Sequence, residues 1–260
     1  MTRMFLGALA AVILIATPTL AEEKTGDLKI TFKLKGDAPA SQDIKVDKDV
    51  AFCGKFGLKD NRLIVNKENK GIANVVVYVY TSSRGGTKLP KMTPPKNTHT
   101  LANKNCMFEP HVLIAQAGDT LRVTNPDEVG HNANLGFLNN DAQNFTIPAK
   151  QEKSIVVELA EPAPIEVACN IHPWMKARLL VLDHPFAAAS DENGVLTIKG
   201  LPAGDEVVFR AYHEVGTFKN EIYIDGEKEK WKLNRFEVDI EPGMNDLGVV
   251  EVPIEEFDLN

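Results

Sequence analysis

Period-two alternation constrains this chain more than any other feature. Leu28-Lys29-Ile30-Thr31-Phe32-Lys33-Leu34 alternates apolar and polar residues without a break, the pattern of a half-buried strand. Val75–Tyr80 is β-branched and aromatic throughout, which predicts a more deeply buried strand. Short strands are expected at Val112–Ala115, Thr120–Val123, Ser154–Leu159, Ile165–Ala168 and Ala177–Leu182. Others are expected at Leu196–Ile198, Val207–Arg210, Ile222–Ile224 and Phe236–Ile240. Nowhere does a helical period hold over three turns. Short strands separated by turn residues predict an all-β chain built from β-sandwiches.

The first 21 residues differ from the rest. Arg3 gives a positive start, Phe5 to Ala16 is an unbroken run of apolar and small residues, and Thr19-Leu20-Ala21 places small residues at −3 and −1. That order is a secretory signal peptide with cleavage after Ala21, and the run is short for a membrane anchor. The expectation is a periplasmic or secreted protein with no membrane span in its mature chain. Losing Arg3 moves the formal charge from −7 to −8. A mildly acidic chain without clustered basic residues argues against a nucleic-acid partner.

Two seams divide the mature sequence. Residues 81–97 are rich in Ser, Gly, Lys and Pro, and the stretch from Asp183-His184-Pro185-Phe186 to Asp191-Glu192-Asn193-Gly194 ends in turn-forming residues. Between them lie roughly 85 residues, the size of a small Greek-key sandwich. The expected division is a leader at 1–21, an N-terminal β segment at 22–96, a central domain at 97–184 and a C-terminal sandwich at 185–260.

The chemistry is concentrated in Cys169-Asn170-Ile171-His172-Pro173-Trp174-Met175. A thiolate, an imidazole and a thioether at positions 0, +3 and +6 can surround one ion only on a tight loop, here one between two expected strands. A second imidazole completes a His₂Cys plane with a weak axial Met, the set that marks blue-copper sites. His131, just past the strand that ends near Asn125, supplies it. The expected metal ligands are therefore His131, Cys169, His172 and Met175, holding one type 1 copper.

The surrounding residues carry a resemblance. Phe108-Glu109-Pro110, Ala117-Gly118-Asp119-Thr120, Asn125 and His131-Asn132 resemble the cupredoxin pattern of plastocyanins, and the ligand loop is similar to that of amicyanin. The similarity spans about residues 97–184. It implies a Greek-key copper domain that transfers single electrons and is not an enzyme, with a redox partner such as a c-type cytochrome or a dehydrogenase. It also assigns Asn132 to tie the two ligand segments together by hydrogen bonds. Placed mid-loop, His172 is expected to face outward, with Pro173 and Trp174 forming the electron port around it. Val167 departs from the family pattern, which often has an aromatic residue two positions before the cysteine.

Cys53 and Cys106 remain. In an oxidising compartment a Cys53–Cys106 disulfide is the default, and a second thiolate metal site near His111 is the alternative. His111 itself is expected to be structural, and His99, His184 and His213 receive no role. Ser190 to Gly204 is similar to the carboxypeptidase-regulatory-like β-sandwich signature, with an Asn-Gly turn, a short strand and a Leu-Pro-x-Gly turn. Residues 22–96 and 185–260 are therefore expected to form one split sandwich into which the central domain is inserted.

Two other functions remain open. Copper storage or delivery would use the same ligands but usually brings Met- or His-rich tracts, and a structural surface protein would make the site incidental. A multicopper oxidase or copper nitrite reductase needs more histidines than the six present.

Overall fold

The computed structural model describes residues 24–93 and 95–259, so the expected signal peptide lies outside the described residues. Strands β1 (Thr25–Lys35) and β2 (Val76–Val79) come first. Next come β3 (Thr98–Lys104), β4 (Met107–Glu109), β5 (Val112–Gln116), β6 (Asp119–Thr124) and β7 (His131–Leu135). The central group ends with β8 (Gln143–Ile147), β9 (Glu152–Val157), β10 (Ile165–Ala168) and β11 (Lys176–Leu182). The C-terminal group opens with β12 (Ala187–Ala189), β13 (Val195–Pro202), β14 (Glu206–Tyr212) and β15 (Ile222–Ile224). It closes with β16 (Glu227–Glu229), β17 (Arg235–Asp239) and β18 (Gly243–Pro253). The all-β expectation holds. No helix among the described residues is long and apolar enough to cross a membrane.

The strands form four sheets around two cores. One sheet runs β13-β1-β18-β15-β16 and a second runs β12-β2-β14-β17, and the side chains between them make one apolar cluster. In β1 the alternation acts as expected: Leu28, Ile30, Phe32 and Leu34 are buried in that cluster, each contributing about 1.5–3 kcal/mol. An aromatic group closes it, with Trp231 stacked on Phe236 at 4.0 Å and edge-on to Phe32 at 6.3 Å. Gly194, at φ 78, lets the Asn193-Gly194 turn lie against β1, because a Cβ there would sit 2.0 Å from the Phe32 carbonyl.

The other two sheets run β5-β11-β10-β7-β8 and β4-β3-β6-β9 and enclose a second cluster. β2 is buried along its whole length because it serves two layers. Val77 and Val79 enter the first core, while Val76 and Tyr78 meet Leu180 and Leu182 of β11 in a seam between the sandwiches.

One part of the N-terminal segment leaves its neighbours. Ile44, Val46, Phe52, Cys53 and Leu58 pack on the core of β3–β11, so an excursion from the split sandwich covers one end of the other. It carries the short helix α1 (Val50–Cys53), and the Cys53–Cys106 disulfide fixes it there with Cα atoms 5.6 Å apart. The expected disulfide is present, and Cys53 lies on this helical turn rather than in an open loop.

Candidate metal centre

Strands β10 and β11 are antiparallel neighbours, with Ala168 opposite Lys176, so residues 169–175 must reverse direction within a very short span. Two backbone bonds close this loop: Cys169 N–H donates to the Met175 carbonyl at 3.1 Å, and Met175 N–H donates to the His172 carbonyl at 2.9 Å. The turn draws Cys169, His172 and Met175 inward, and all three are buried. Two backbone N–H groups point at the thiol, from Asn132 at 3.3 Å and from His172 at 3.4 Å. Burial pushes the Cys169 pKa up, but hydrogen bonds from His131, His172 and these amides outweigh it and bring the pKa down to about 6. At neutral pH the sulfur is therefore largely thiolate, the form that binds metals.

β7 brings the second imidazole. It pairs with β10 through Leu135–Val167 and Asn134–Ala168, which sets His131 at the end of the strand nearest the loop. Asn132 lies between the two segments, its Oδ1 accepting the Asn170 N–H at 3.1 Å while its Nδ2 donates to Asn144 at 2.7 Å. The outcome is a convergence of donors. His131 Nδ1 lies 3.0 Å from His172 Nδ1, and Cys169 Sγ lies 3.8 Å from His172 Nδ1. One ligand atom from each of the three residues lies within 4.8 Å of the others.

The far edge of each ring is occupied. His131 Nε2 meets Asp127 Oδ2 at 2.8 Å, and His172 Nε2 meets Asp49 Oδ2 at 2.9 Å. A carboxylate oxygen accepts, so Nε2 is the donor in each contact, and a neutral ring then presents its lone pair at Nδ1. Two such lone pairs cannot face each other at 3.0 Å unless a cation lies between them, either a shared proton or a metal ion. Burial presses the His131 pKa down, but the Asp127 bond and charge, aided by Cys169, hold it above the ordinary value.

His131, Cys169 and His172 are thus together, and Met175 is fully buried in the same cluster as Cys169. One expectation is corrected. His172 does not face outward: it is 0% exposed, because the excursion lays Asp49 over its Nε2 edge and sets Cys53 Sγ 3.9 Å away. Pro173 is exposed, while Trp174 is half-buried, its ring 5.2 Å from His172 and its Nε1–H donating to the Cys106 carbonyl at 3.1 Å. Cys106, Asp127 and His131 also lie close together, but the disulfide takes up Cys106. His111 bonds Asn61 and Glu214 rather than the His₂Cys donors.

The two carboxylates went unread in the sequence. Asn125-Pro126-Asp127, four residues before His131, is a local turn signal that could have pointed to Asp127. Asp49 is 123 residues from His172 and has no such signal.

The donor chemistry fits copper. A low-pKa thiolate, two imidazole lone pairs and a buried thioether at the loop end form a soft, dry set suited to Cu(I) and Cu(II). The fold and these donors define an all-β chain with a buried His₂Cys cluster. No family model matches the chain, and no curated protein matches it. Solved structures similar to part of it include a Cu(I) form of one amicyanin variant, 21% identical, covering 32% of this chain and 79% of that one with a TM-score of 0.29. An oxidised form of another variant is 22% identical over the same shares, also with a TM-score of 0.29. At that score the likeness adds nothing to the geometry above.

Proposed function

We propose that this protein is an exported one-electron carrier holding a single type 1 copper between His131, Cys169 and His172, with Met175 as the axial ligand. The 3.0 Å approach of two imidazole lone pairs beside a thiolate carries this reading, because that arrangement needs a cation at its centre. Copper bound there would supply reversible one-electron chemistry. The protein's part is to hold four donors in a buried, prearranged pocket, so that little has to move between oxidation states. Such burial also disfavours storage or delivery, which would require ready exchange of the ion.

The copper domain corresponds to residues 97–184, carried by a split sandwich of 22–96 and 185–260. Since His172 is capped by Asp49, the electron port is placed at Trp174, whose ring lies 5.2 Å from His172, and its exposed neighbour Pro173. A chain of net charge −8 after loss of the leader favours a cationic partner such as a basic cytochrome, whose association should slow as salt rises.

The oxidised protein should bind one copper and show an intense visible band from the Cys169 thiolate. Cys169→Ser should abolish the band while leaving the β-rich circular dichroism spectrum intact. Purified protein that holds only zinc and gives no coloured form with Cu(II) would overturn the proposal.

A further inference from the structure

Each histidine of the centre ends on a carboxylate, and the two carboxylates are held in unequal ways. Asp127 is immobilised. Its oxygens accept the backbone N–H groups of Asn105 and Cys106, both at 2.8 Å, and its own N–H donates to Asn125 Oδ1 at 3.0 Å. Those two amides converge because Asn105 and Cys106 both take left-handed backbone angles, φ 54 and 57, which make a concave anion seat. Asn125 is in turn fixed by its Nδ2 bonds to the carbonyls of Val129, Ile147 and Pro148. The side chain of Asp127 is 4% exposed, so its charge acts on His131 with little screening.

Asp49 comes from the opposite side, on the excursion of the split sandwich. It stands just before α1, where its carbonyl accepts the N–H groups of Phe52 and Cys53. Its side chain is 42% exposed. One covalent link holds both carriers: Cys53 lies four residues beyond Asp49, and its disulfide partner Cys106 supplies one of the amides that seat Asp127. The disulfide thus sits between the outer edges of the two rings.

We propose that Asp127 and Asp49 are positioning residues that fix both imidazoles in the Nε2–H form and bias the centre toward its oxidised, more highly charged ion, lowering its reduction potential. This rests on the copper reading above. A carboxylate bonded to the far nitrogen makes an imidazole a stronger donor and adds negative charge one ring away from the ion. Both effects favour Cu(II) over Cu(I). Asp127 contributes more, since Asp49 is partly screened by water.

The test uses the full chain with its disulfide intact and titrates the visible band against redox standards. Asp127→Asn should lower the Cu(II)-to-Cu(I) affinity ratio about tenfold, equivalent to roughly +59 mV for one electron. Asp49→Asn, at a more exposed position and therefore safe for folding, should lower it about threefold. A purely structural role would cost stability and leave this ratio unmoved. In the wild-type apoprotein, ¹⁵N NMR should find Nε2–H on both His131 and His172, with a single proton shared between their Nδ1 atoms. The inference is overturned by the opposite tautomer on His131, or by a wild-type copper band whose potential neither variant shifts. A wild-type chain that takes up no copper would overturn the centre itself, and this inference with it.

Discussion

The two sandwiches share an architecture but differ in what they bury. In the split sandwich the core is almost wholly apolar, and its large side chains interlock through Trp231, Phe236, Phe32 and Phe218. In the central sandwich, one end of the core is instead lined by Asn125, Asp127, His131, Asn132 and His172, all buried. Among the described residues outside 97–184, the buried polar or charged groups are Ser190, His213, Glu256 and the side chain of Glu214. Burying polar groups costs free energy unless each finds a partner, and here their partners are mainly one another and the backbone. The difference teaches where to look for function. Both sandwiches can fold on apolar contact, but only one spends part of its core on placing donors.

The strongest way to break this contrast is to damage the apolar core. Trp231→Ala removes a 3% exposed ring that stacks on Phe236, and it should destabilise the protein by about 3–5 kcal/mol. On the copper reading its visible band should keep its position, because nothing in the His₂Cys cluster touches this ring. Chemical denaturation and one absorption spectrum check both halves. A shifted band in the folded variant would mean that the two cores are not energetically separate.

Next in size is the strap between them. Replacing Cys53 and Cys106 together by Ala opens a link that spans 53 residues, worth at most about 4 kcal/mol in the chain-entropy model. Here the centre should respond. Without the bond the excursion is free to lift, Asp49 can leave His172, and copper should exchange faster with a chelator. Unchanged exchange in the folded double variant would show that packing alone holds the excursion down.

The alternating strands and the spacing of the ligand loop were legible in the sequence because each rests on local order. β1 announces itself residue by residue, and Cys169, His172 and Met175 lie within seven positions. β18 did not. It pairs in parallel with β1 over much of its length, but Gly243, Asn245, Asp246 and Gly248 interrupt its pattern, and the register shifts beside them. β7 and β8 were hidden because their Asn, Gln and Thr residues serve the centre and the sheet edge rather than an apolar face. The capping of His172 was illegible for a different reason. It depends on a segment that belongs by sequence to one sandwich and packs on the other, and no local pattern marks such a crossing.

The smallest expected effect lies in the seam. Glu214, in the loop after β14, accepts from His111 and from Arg178 Nε at 3.1 Å, so one buried carboxylate of the split sandwich holds two cations or donors of the central one. Burial pushes its pKa up, but the His111 hydrogen bond, with the charges of His111 and Arg178, brings it below the usual value of 4.5. A depressed carboxylate pKa gives stability that is present above the unfolded value and lost as pH falls through the folded one. Glu214→Gln keeps the size but turns an N–H₂ toward a donor, which should cost about 1–3 kcal/mol at pH 7. Because the wild type loses its advantage when Glu214 protonates, the stability gap between the two proteins should stay constant near neutrality and close as pH drops below about 4.5. Urea denaturation across pH 3 to 7 measures that gap. A gap that persists to the lowest pH would assign the loss to packing in the seam, where Val76, Tyr78, Leu180 and Leu182 meet.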